Sequence, residues 1–131
     1  MTQFGFTKLL VEDLDKTAAF YKAVCGLMET RRIQASIGGR PIDEILFAPA
    51  RDGAATFILL KYLDAPRDAI RPGADEVILG FMTSDVDAFV QRAQSAGGRV
   101  VEAPHDSAEH GIRVAFVADI EGHMLEIVQP L

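Results

Sequence analysis

The sequence predicts an α+β domain built from two copies of a β-α-β-β-β unit. Three observations carry this. Asp13-Leu14-Asp15-Lys16, running through Phe20-Tyr21 to Cys25-Gly26, is echoed by Asp85-Val86-Asp87-Ala88 running to Gly97-Gly98, with both Asp pairs and both glycine stops 72 residues apart. In each copy one stretch of helical apolar spacing is followed by short apolar runs separated by Gly- and Pro-rich turns. A length of 131 residues, 49% of them apolar, suits a single domain with its own core. An internal repeat implies two like supersecondary units, and the cleft between them is a natural ligand site.

The first unit spans 1–65. Phe4 to Val11 is apolar, aromatic and short, and reads as a strand. Asp13 is placed as an N-cap, with Asp15 favouring the positive helix end. Leu14, Ala18, Tyr21, Val24 and Cys25 recur at helical spacing, and Gly26 ends the helix as a left-handed cap. Leu27 to Ile37 is a strand. Gly38-Gly39-Arg40-Pro41 turns it back as a hairpin into Ile42 to Ala48. After the turn Pro49 to Gly53, Ala55 to Leu63 is the fourth strand.

Asp64 to Ala74, with Pro66, Pro72 and Gly73, reads as the linker. The second unit spans 75–131. Asp75 to Thr83 is a strand, and Asp85 caps a helix that Gly97-Gly98 stops near Ala96. Arg99 to Ala103 is a strand, and Pro104 to Gly111 a polar loop carrying His105 and His110. Ile112 to Ala118 is the next strand. Asp119-Ile120-Glu121-Gly122 then turns the chain into His123 to Gln129.

Composition narrows the function. A net charge of −6 and a pI near 4.9 argue against nucleic acid, because phosphate binding needs a positive field. No apolar run approaches the ~20 residues of a membrane span, so no membrane partner is expected. The start of the chain lacks the basic and apolar regions of a signal peptide. One cysteine, Cys25, makes neither an intrachain disulfide nor a Cys-rich zinc site, which fits the cytoplasm. Cys25 reads as a small core residue.

These stretches, together with Arg113-Val114-Ala115-Phe116-Val117-Ala118-Asp119 and Gly122-His123-Met124-Leu125-Glu126, resemble the vicinal oxygen chelate superfamily. That family includes glyoxalase I, bleomycin resistance proteins and extradiol dioxygenases. The resemblance covers almost the whole chain. It implies two paired βαβββ modules whose strands form a curved mixed sheet around a cavity, and it implies a homodimer. The turn carries Ile120 and Glu121 where the family has its usual Pro-Asp. In the metalloenzymes of the family four side chains, from the first and last strands of each module, meet at one metal. Matched by spacing, those positions are Phe6, Leu59, Ile78 and Glu126. Only Glu126 can coordinate a cation, so no metal and no other cofactor are expected.

Glu126 has two readings. In one it is a carboxylate in an apolar cavity, its pKa raised by burial, serving as general acid or base or anchoring a ligand. In the other it is a remnant paired with Lys8, Arg113 or another basic group. Phe6, Phe57, Leu59, Ile78, Met82 and Met124 share an inward parity and are expected to line the ligand pocket. Lys8 follows the parity of Phe6 and is a candidate polar contact, as Lys61 is on the parity of Leu59. His105 and His110 belong to a loop that is either a lid or plain surface, and His123 reads as structural. No nucleophile elbow, phosphate loop or dinucleotide fingerprint is present.

The expectation that follows is a metal-free relative of the glyoxalases and bleomycin resistance proteins that binds a small, largely apolar organic molecule between its modules. The bleomycin resistance proteins it resembles act by sequestration and need no metal. The alternative is a lyase, isomerase or dioxygenase of the same superfamily, using Glu126 as acid or base or a metal site elsewhere. A ligand-free dimeric interaction module is a third possibility.

Overall fold

The computed structural model describes residues 6–37, 39–49, 54–65 and 77–131. It holds two four-stranded mixed sheets, each with one helix. The first contains β1 (Thr7–Leu10), α1 (Leu14–Cys25), β2 (Met28–Ile37), β3 (Arg40–Ala48) and β4 (Phe57–Tyr62). The second contains β5 (Ile78–Met82), α2 (Val86–Ser95), β6 (Arg99–Ser107), β7 (Ile112–Ala118) and β8 (Met124–Pro130). The chain divides into two compact units, Met1–Lys22 with Gly26–Pro72, and Ala23–Cys25 with Gly73–Leu131. Most of the expected linker, and the start of the strand expected from Phe4, lie outside the described residues.

Both sheets have the same strand order, β1-β4-β3-β2 and β5-β8-β7-β6. In each, the helix carries the chain from one sheet edge to the other. Two antiparallel hairpins then walk back until the last strand lies parallel to the first. Asp13 and Asp85 cap their helices as their sequence context demands. Asp13 Oδ1 accepts from the Lys16 amide, and Asp85 Oδ1 from the Ala88 amide, each at 3.0 Å. Gly26 ends α1 in the left-handed region at φ 65°. The end of α2 is a Schellman turn: Gly98 N–H donates to Ala93 O at 2.8 Å and Gly97 N–H to Gln94 O at 3.1 Å.

One face of each sheet packs on its helix. In the first, Leu9, Ile45, Phe47, Phe57 and Leu59 are buried on this side. The Phe57 ring lies 5.0 Å from that of Tyr21 on α1. In the second, Ala115, Val117, Leu125 and Ile127 are buried there, and Phe81 meets Phe89 of α2 at 6.2 Å. Arg113 ties the second layer together by donating to both Asp87 carboxylate oxygens (2.9 and 3.0 Å) and to Asp106 (2.9 Å).

Two sequence expectations change. Leu59 and Phe57 do not share a face with Phe6. Their parallel partners are Leu9 and Thr7, so both point at α1, and Lys61 follows the same parity. The residue that faces the other way at this level is Ile58, the partner of Lys8. β6 also continues past Ala103 to Ser107, so His105 stands on a strand and only Ala108–Gly111 turns. The chain passes Pro104 because the ladder slips between Glu102 and His105, an irregularity that spares Pro the amide it cannot donate.

Candidate functional site

The helix-free faces of the sheets carry most of the residues expected at a ligand site. On the second sheet, pairing sets three rungs across this face. They are Ile78–Met124–Ala118, Gly80–Glu126–Phe116–Glu102 and Met82–Val128–Val114–His105. Paired residues share a face, so Ile78, Met82, Met124 and Glu126 stand together, as the period of two requires. Ile78 is 50% exposed and Met82 71%, while Met124 and Glu126 are half-buried. Gly80, beside Glu126, has no side chain, and a Cβ built there would meet nothing within 4 Å among the described residues.

On the first sheet the corresponding rungs are Lys8–Ile58–Leu46–Arg31 and Leu10–Leu60–Glu44–Ile33. Lys8 Nζ lies 2.6 Å from Glu44 Oε2, and Glu44 is only 3% exposed. Glu44 Oε2 has no hydrogen-bond partner among the described residues, so this contact is an ion pair alone. The same ammonium lies 5.8 Å from the centre of the Phe6 ring, and Phe6 is 52% exposed.

These contacts settle the expected partners of Glu126. Lys8 is engaged by Glu44, and Arg113 by Asp87 and Asp106. Among the described residues Glu126 makes no hydrogen bond or ion pair. By topology its counterpart in the first sheet is Ile58, since Lys8 pairs with Ile58 as Gly80 pairs with Glu126. The four strand positions are thus Phe6, Ile58, Ile78 and Glu126, and only the last offers a donor atom. No group of three or more His, Cys, Asp or Glu side chains is gathered closely enough among the described residues to hold a metal.

The histidines divide. His123 is buried against Asp119, its Nδ1 2.6 Å from Oδ2. Asp119 Oδ1 accepts from the amides of Glu121 and His123 at 2.8 and 3.0 Å. A carboxylate only accepts, so Nδ1 carries a proton and donates it in a hydrogen bond to Asp119. His123 clamps the turn into β8. His105 shares the helix-free face with Glu102, 3.7 Å from its carboxylate. His110 pairs with Ser107 Oγ at 3.0 Å within the turn. Burial pushes the Cys25 thiol up to about 12, which leaves it a poor nucleophile. Glu44 and Glu102 went unread in the sequence, because a lone Glu in a strand carries no sign of which face it takes.

A family model described as the Glyoxalase/Bleomycin resistance protein/Dioxygenase superfamily matches residues 3–127. The chain belongs to this superfamily. A glyoxalase family protein from Bacillus cereus has the same fold, at a TM-score of 0.82 and 19% identity over 100% of this chain and 95% of that one. An uncharacterized protein of Mycolicibacterium smegmatis is 31% identical over 94% of this chain and 90% of its own length. A probable lactoylglutathione lyase of Vibrio cholerae is 28% identical over 94% of this chain and 87% of its own. Among the described residues no helix is long and apolar enough to cross a membrane.

Proposed function

We propose that this superfamily member binds a small, largely apolar organic molecule on the helix-free side of its sheets and does so without a resident metal. The observation that carries the reading is the face of β5 and β8. There, large apolar side chains stand exposed beside one half-buried carboxylate that has no partner among the described residues. Exposed apolar clusters of this kind mark ligand or protein contacts. A buried or half-buried carboxylate without a partner favours a hydrogen-bond donor or a cation supplied from outside. Three of the four strand positions that would ligate a metal are apolar. The residues do not fit a divalent ion, which needs several N, O or S donors. In this reading 1–65 and 75–131 are the two modules of one domain, which works as a homodimer in the cytoplasm.

The test joins metal analysis to ligand binding. Protein dialysed without chelator is expected to hold far less than one metal ion per chain. It is expected to bind an anilinonaphthalene sulfonate probe saturably. Met82→Asp and Ile78→Asp should each weaken that binding at least about tenfold, ~1.4 kcal/mol. Stoichiometric zinc, manganese, iron or nickel in the dialysed protein would overturn the proposal.

The second reading is catalysis by Glu126 as acid or base, favoured by the likeness to the probable lactoylglutathione lyase. It requires Glu126→Gln to abolish turnover of a bound substrate while leaving its affinity largely intact.

A further inference from the structure

We propose that the first module carries a second, separate site on the helix side of its sheet, beneath the start of α1, and that it takes a small primary ammonium. A cavity of about 330 Å³ opens there, lined by Leu14, Arg32, Ile33, Gln34, Asp43 and Glu44. Strand pairing puts the side chains of Arg32, Gln34 and Asp43 on the α1 side, since Arg32 is paired with the buried core residue Ile45 and Gln34 with Asp43. Leu14 is the first residue of α1. The volume lies at the small end of ligand sites and exceeds what one ordered water fills.

Asp43 Oδ1 is buried and has no hydrogen-bond partner among the described residues. Buried carboxylate oxygens are almost always satisfied, so one that is not asks for a donor the chain does not supply. Charge decides which donor. Arg32 is held by Asp15 at 2.7 Å and by Glu29 at 3.1 Å, and Glu29 also takes Lys22 at 2.7 Å. Those four charges cancel. Glu44, which also lines the cavity, is neutralised by Lys8 at 2.6 Å, so Asp43 is left as the net negative group, with Gln34 paired to it on the neighbouring strand. Lys61, paired with Asp43 on β4, makes no ion pair with it among the described residues. An ammonium supplies several donors and the missing positive charge, and Leu14 offers apolar contact to a short alkyl chain. Arg32, Gln34 and Asp43 take the helix side of the first sheet, whereas the exposed apolar residues of the proposed ligand site belong to β5 and β8.

The experiment follows backbone amide shifts of the labelled full-length chain during titration with n-butylammonium chloride. Neutral n-butanol and potassium chloride at matched ionic strength are the controls. Saturable shifts centred on Leu14, Gln34 and Asp43 are expected with the amine alone. Asp43→Asn should weaken binding at least about tenfold, ~1.4 kcal/mol, while its urea midpoint stays at or above that of the parent. Met82→Asp should leave amine binding unchanged. Equal binding of butanol or potassium, no localised shift, or unaltered affinity in Asp43→Asn overturns the proposal. So does an equal loss of stability in Asp43→Asn, Lys61→Met and their double variant, which would make Lys61 the partner of Asp43.

Discussion

On the helix side the two sheets solve one problem the same way. Leu9, Ile45 and Leu59 in the first do what Val117, Leu125 and Ile127 do in the second, filling the space under a helix that an Asp caps and a glycine ends. On the other side they differ. The first sheet sets a lysine on its edge strand and neutralises it with a buried glutamate; the second has glycine at the lysine's position and leaves its carboxylate on the neighbouring strand. Packing constrains the first face, because any mismatch leaves a cavity or an overlap. The second face is less uniformly packed: Ile78 and Met82 stand exposed there among the described residues, so chemistry can vary around them at little cost to folding.

That contrast can be broken at three levels. The largest effects belong to the shared face. Leu59→Ala and Ile127→Ala occupy matched positions and should each cost about 2–5 kcal/mol in urea unfolding. A small effect for only one of the two would mean that the cores are not equivalent. Next comes the face that differs. Lys8→Met leaves the Glu44 carboxylate buried without a counter-charge and should cost about 2–3 kcal/mol, less than for a pair buried at both ends. Glu126→Gln, which breaks no contact among the described residues, should stay within about 0.5 kcal/mol. Equal costs for the two would erase the distinction.

The smallest effects are at the surface. The Arg113 guanidinium holds the Asp87 carboxyl below its ordinary 3.8, and Arg40 does the same for Asp64. A carboxyl whose folded pKa is depressed contributes stability above its unfolded value and loses it as pH falls through the folded one. Urea midpoints should therefore drop below about pH 4. Arg113→Met should flatten that slope slightly, as should Arg40→Met, and salt should mask both.

Both helices and their ends were legible because the signals are local. An Asp three residues before the amide it caps, and a glycine after the last turn, need no tertiary context. β8 was legible too, since Glu126 interrupts Met124-Leu125 and Ile127 and fixes which residues share a side. β4 was not. Phe57-Ile58-Leu59-Leu60 is apolar at every position and all four are buried, so the sequence holds no alternation from which to read register. The slip of one residue that put Leu59 in place of Ile58 follows from that. Pro104 misled in the opposite direction: it reads as a strand breaker, and an irregularity in the ladder accommodates it. The cavity at Asp43 was beyond the sequence altogether, because it exists only where a helix start and two strands converge.

Gly80 has a practical consequence for redesign. It sits on a regular strand, without the left-handed backbone that would demand glycine, and among the described residues nothing lies within 4 Å of a Cβ built there. A Cβ added there would stand on the same face as Glu126, away from the layer that packs on α2. A library at this one position would vary the surroundings of the carboxylate while the scaffold stayed fixed. Gly80→His would set an imidazole next to it, giving selection a starting pair of donors from which a metal-dependent activity could be bred.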